Sequence, residues 1–128
     1  MRISIAALSL SLAASGCASV KTPSDPGVIC TAIAVSSLNV SVRDVVTGQR
    51  VCDAAVVAIL GNDRYELRRT GGDPQGCGYA GPEERAGVFE VRATRTGYEA
   101  ATVTAVRVTA DECHVIPVVL TVDLRPRP

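Results

Sequence analysis

The side chains with the widest chemical reach in this sequence are five cysteines, Cys17, Cys30, Cys52, Cys77 and Cys113, and a single histidine, His114. A thiol beside an imidazole is the raw material of a cysteine nucleophile, and Cys113-His114 puts the two in consecutive positions. Consecutive residues of a strand point to opposite faces, however, and a thiol held in a disulfide is no nucleophile. His114 is therefore expected as a polar residue at the start of a strand. Zinc needs clustered Cys and His ligands; no Cys-x-x-Cys spacing occurs and one histidine is too few, so neither a metal nor a cofactor is expected. Asp111-Glu112 lacks the spaced Asp/Asn set of a calcium loop. Asp44, ahead of Val45-Val46-Thr47-Gly48, is placed to close a turn rather than to act as an acid.

Five is one thiol too many for pairing, and the N-terminus accounts for the extra one. Arg2 supplies a positive start, residues 3–14 are apolar or small apart from Ser4, Ser9 and Ser11, and Ser15-Gly16 directly precedes Cys17. The run is shorter than the roughly 20 apolar residues of a transmembrane helix, so residues 1–16 read as an export signal. Leu12-Ala13-Ala14-Ser15-Gly16-Cys17 resembles the lipobox of bacterial lipoproteins, with Ala14 where leucine is usual. That resemblance implies cleavage before Cys17 and acylation of its thiol, which would anchor the chain to a membrane. Residues 17–29 then make a lipidated start and a polar tether, of which ten residues reach about 35 Å at most. Ala18 stands where an inner-membrane lipoprotein usually carries Asp, and the resemblance therefore favours the outer membrane in a cell that has one, facing the periplasm or the cell surface. In an oxidising compartment the remaining even set, Cys30, Cys52, Cys77 and Cys113, reads as two disulfides.

A chain of 128 residues with 47% hydrophobic side chains holds one domain with a modest core. Thirteen basic and thirteen acidic side chains cancel, which leaves no basic field for nucleic acid. One Phe, three Tyr and no Trp leave no stacking platform for bases. Twelve arginines against one lysine carry no functional reading.

From residue 28 onward the chain shows short alternating runs rather than a helical period. Leu38, Val40 and Val42 alternate with Asn39, Ser41 and Arg43. The turn at Asp44–Gly48 is expected to form a hairpin into an apolar strand at residues 54–60; Gly61-Asn62-Asp63 turns into a more exposed strand at 64–69. Residues 70–87 are read as a long loop with a short strand near 77–80. Phe89, Val91 and Ala93 mark another strand. At residues 102–109 the apolar phase slips by one, as a bulge would make it, or the strand is covered on both faces. Ile116, Val118, Leu120, Val122 and Leu124 form the longest alternation, and residues 125–128 are a tail.

The stretch from Val42 to Val51, with Ala54-Ala55-Val56, resembles the opening of carboxypeptidase regulatory-like domains, which are transthyretin-type (prealbumin-type) sandwiches. Gly87-Val88-Phe89-Glu90-Val91, Gly97-Tyr98 and the last apolar strand fit the same pattern. The similarity spans residues 38–124 and departs from the family at 77–87, where a Thr-Asp-x-x-Gly turn is usual. It implies an all-β, seven-stranded (six to eight) transthyretin-like β-sandwich over residues 30–124, stapled by two disulfides. In that fold the first and last long strands run parallel side by side, which implies Cys30–Cys113 with Cys52–Cys77.

The function expected is that of a non-catalytic binding or structural module of the cell envelope. Its partner would be an envelope protein or polymer met by the 77–87 stretch, with Tyr79, Glu83, Glu84 and Arg85 as first candidates. One alternative is a transthyretin-like hydrolase, although the chain has a single histidine and lacks that branch's C-terminal Tyr-Arg-Gly-Ser. The other is an inhibitor of an exported hydrolase, inserting the 70–87 loop into a cleft.

Overall fold

A computed structural model describes residues 27–72 and 76–128. The segment 1–16 expected as a signal, the expected lipidation site Cys17 and the expected tether up to residue 26 lie outside the described residues. Nine strands follow in order: β1 (Ser36–Asp44), β2 (Ala55–Leu60), β3 (Asp63–Glu66), β4 (Arg68–Thr70), β5 (Gly78–Glu83), β6 (Gly87–Thr94), β7 (Ala101–Ala110), β8 (Val115–Ile116) and β9 (Val118–Leu124). They make two sheets, ordered β4-β5-β1-β9 and β3-β2-β6-β7-β8. Among the described residues there is no helix, and hence none long and apolar enough to cross a membrane. The architecture is the expected all-β sandwich.

Alternation builds the core. Leu38, Val40 and Val42 on β1, Phe89, Val91 and Ala93 on β6, and Val122 and Leu124 on β9 are at most 2% exposed, so the lone Phe and the β-branched residues fill the space between the sheets. β1 and β9 run parallel, in register from Leu38↔Val118 to Asp44↔Leu124. Both disulfides form as the resemblance implies, Cys30–Cys113 and Cys52–Cys77. The first ties the segment ahead of β1 to the start of β8; the second joins the entry of β2 to the entry of β5.

Three expectations need correction, and one open alternative is decided. The Asp44–Gly48 turn exists, closed by Gly48 N–H to Asp44 C=O and an Arg43↔Arg50 bridge, but it does not lead into a hairpin. The chain crosses instead to the other sheet, where β2 pairs with β3 and β6. Residues 70–87 are not one long loop: the short strand expected near 77–80 is β5, which runs on to Glu83 and lies between β4 and β1. The strand count is nine because two stretches change sheets in mid-course: the chain passes from β3 to β4 at Leu67, and from β8 to β9 at Pro117. The second change shifts the phase, so Val115 is buried while Ile116 is 52% exposed. The slip in β7 is a bulge: Phe89 faces Val106 but Val91 faces Val103, and Ala105 takes φ 57°.

Candidate functional site

Two polar clusters and one cleft stand out. The first cluster is built on Glu84, in the turn between β5 and β6, at φ 51°, a conformation uncommon for a residue with a side chain. Its Oε1 accepts the Val35 N–H at 2.8 Å and lies 2.7 Å from His114 Nδ1, while its Oε2 accepts the Val115 N–H at 3.1 Å. These donors, the Val35 amide foremost, hold the Glu84 carboxyl below its ordinary range against the opposing effect of burial. His114 Nε2 lies 3.0 Å from Thr31 Oγ1. With a neutral ring this puts the proton on Nδ1 and leaves Nε2 to accept from the hydroxyl. The Glu84 N–H donates to Val35 C=O and the Arg85 N–H to the buried Ser37 Oγ, both at 2.9 Å. Glu84 thus ties the N-terminal segment, the β5–β6 turn and the start of β8 into one knot beside the Cys30–Cys113 bridge.

The second cluster centres on Asp44. Its Oδ1 accepts the Val46 and Thr47 amides at 2.7 and 3.0 Å, and its Oδ2 accepts the Tyr98 hydroxyl at 2.7 Å. Tyr98 is the main reason the carboxyl sits below its ordinary range, and the same bond pushes the Tyr98 hydroxyl up. Asp44 is the turn former expected, with Tyr98 holding it from across the sandwich.

The cleft, about 570 Å³ in volume, opens over the first half of β2. Arg92 and Thr94 of β6 flank it on one side, where Val57↔Arg92 and Ala55↔Thr94 are cross-strand pairs. The other wall is the stretch that passes from β3 to β4 and carries Arg64, Glu66 and Arg69. Val57 and Leu67 line it at 7% and 8% exposure. Tyr79 closes the inner end: its hydroxyl donates to Val51 C=O at 3.0 Å and accepts the Ala54 N–H at 2.9 Å. Burial pushes this hydroxyl up, and Arg69 is among the charges that pull it back. Arg92 is paired with Glu90 at 2.7 Å, and Asp53 with Arg95 at 2.6 Å. Arg64 and Arg69 have no ion pair among the described residues.

The four residues proposed for a partner-binding loop therefore part company. Tyr79 is a core residue, 3% exposed, and its saturated hydroxyl has nothing left to offer a partner. Glu84 is occupied by the knot it ties. Glu83 and Arg85 are exposed, Glu83 lying 3.9 Å from Arg68 on the neighbouring strand. Among the described residues no group of three His, Cys, Asp or Glu is placed to hold a metal ion. The chain matches no protein-family model and no curated protein. The wall of the cleft was missed from sequence because Arg64, Glu66 and Arg69 read there only as an exposed strand.

Proposed function

We propose that this protein is a lipid-anchored envelope protein whose carboxypeptidase regulatory-like, transthyretin-type sandwich acts as a non-catalytic binding module, with the β2 cleft as its binding site. One observation carries the compartment: all four cysteines of the domain are paired with one another, as in a chain that folds outside the reducing cytosol, leaving Cys17 as the one thiol for acylation. The parallel pairing of β1 with β9 supports the transthyretin-type reading. The cleft, within the usual range of small-ligand sites and lined by both apolar and charged groups, supports binding. The anchor is tested by mass spectrometry of the mature N-terminus in the native cell. A diacylated Cys17 is expected, with Cys17→Ser releasing the chain from the membrane fraction; an unmodified Cys17 refutes the anchor.

One observation favours a hydrolase as the second reading. Thr31, His114 and Glu84 stand in the order of a nucleophile, a base and an orienting carboxylate, at 3.0 and 2.7 Å, the spacing such chains require. Both Glu84 oxygens also hold backbone amides, which is the work of a clamp and gives the first reading its preference. An ester-hydrolysis screen on the purified protein separates the two: turnover abolished by Thr31→Ala would install the second reading, whereas the first expects none.

A further inference from the structure

The cleft has a charge pattern that selects among ligands. Of the ionic groups around it, Arg92 is neutralised by Glu90 and Asp53 by Arg95. Among the described residues that leaves two cations without an ion pair, Arg64 and Arg69, and one such carboxylate, Glu66. Arg69 is in register with Tyr79 across β4 and β5, which places it beside the apolar end of the cleft. A guanidinium next to a low-polarity surface is a better anion site than one in open water, because screening is weaker there. No buried side-chain nitrogen or oxygen among the described residues lacks a partner. The cleft therefore presents free charge at its rim and only satisfied groups in its depth.

We infer that the cleft takes a small amphiphilic anion: an apolar body laid over Val57 and Leu67, and an anionic group (carboxylate, phosphate or sulfonate) held by the Arg69 guanidinium, with Arg64 supporting it from the outer rim. Glu66 opposes the anion and tunes its affinity downward. The inference rests on the cleft being the binding site, and it adds the class of ligand.

The test compares two probes that share a fused aromatic body and differ in charge, the sulfonate 8-anilinonaphthalene-1-sulfonate and the neutral N-phenyl-1-naphthylamine. The protein is the mature chain from residue 17 carrying Cys17→Ser, so that neither lipid nor detergent competes. Saturable fluorescence is expected for the sulfonate, with a dissociation constant on the order of tens of micromolar. The neutral probe should bind about tenfold more weakly, Arg69→Gln should cost the sulfonate about tenfold, and Glu66→Gln should tighten it severalfold. Arg107→Gln, outside the cleft, should change nothing, and non-reducing peptide maps confirm that each variant keeps both disulfides. Equal binding of the two probes with no response to Arg69→Gln would overturn the anionic class while leaving the cleft as a site. Saturable binding of neither probe would overturn both readings.

Discussion

Removing the Cys30–Cys113 bridge should destabilise the domain almost entirely through the unfolded chain. The bridge spans a sequence separation of 83 residues, for which the chain-entropy relation gives about 4.5 kcal/mol at 25 °C. Little native packing is at stake, because Cys30 is exposed and β1 begins only at Ser36. The other bridge spans 25 residues, worth about 3.5 kcal/mol on the same relation. Cys77 is only 1% exposed, however, so replacing it by Ala adds about 1 kcal/mol for lost packing. The two double variants should therefore lose nearly equal stability for different reasons. Urea unfolding of Cys30→Ala/Cys113→Ala should show a midpoint lower by about 3–4.5 M, on an m-value near 1–1.5 kcal/mol/M for a domain of this size, and a steeper slope as the unfolded chain expands. Hydrogen exchange should find the native sheet around β1 intact. Against a typical total of about 5–15 kcal/mol the variant is marginal. A loss below about 1 kcal/mol, or disturbed exchange protection in β1, would refute the reasoning.

Further outcomes follow from single contacts. Tyr79→Phe strips partners from the buried Val51 carbonyl and Ala54 amide and should cost about 1–3 kcal/mol by urea unfolding, with little change in fold. Asp44, Glu84 and Asp111 all titrate below their ordinary range when folded. Their contribution is complete above the unfolded carboxylate range and is lost as pH falls through the lower folded values. The melting temperature should therefore fall steeply below about pH 4, and Asp44→Asn should melt lower at pH 7 while losing less on acidification. Gly87→Ala forces a side chain onto φ 143°, with its Cβ 2.6 Å from Leu60 Cδ1. It should cost about 1–3 kcal/mol in thermal unfolding, and a variant as stable as the parent would show that β6 can begin elsewhere. Phe89→Ala, at the centre of the core and 1% exposed, should cost about 3–5 kcal/mol.

Strands that lie wholly within one sheet were readable from residue pattern. β1 and β6 declare themselves by period-two burial, and β2 by an unbroken apolar run. The change of sheet at Leu67 leaves no such mark: Tyr65 and Leu67 keep the alternation of one strand, and β4 beyond them is exposed at all three residues, so no buried position marks the second sheet. At Pro117 the phase does slip, but Ile116 in place of Val115 completes a plausible alternation and hides it. β5 was obscured by Gly78, Gly81 and Pro82, which read as loop residues; Tyr79 was the one sign of a buried position. The Glu84–His114–Thr31 knot joins residues 30 and 83 positions apart, and nothing local to any of the three announces the others. The disulfide partners were readable only because the resemblance supplied the order of the strands.

The two changes of sheet have a consequence for how copies of this protein behave next to one another. A sandwich ordinarily ends in long strands whose unpaired amides and carbonyls can recruit a strand from a neighbour. Here the same chain turns each corner, so three of the four outermost strands are short: β3 has four residues, β4 three and β8 two. Only β9 presents seven, and it begins just after Pro117, whose nitrogen has no hydrogen to donate. The longer edges are confined to β9 and to the part of β7 ahead of Thr109, because β8 pairs with only Thr109 and Ala110 of that ten-residue strand. The corners that complicate the reading of the sequence thus shorten three of the four outermost strands and confine any edge-to-edge pairing between copies to β7 and β9.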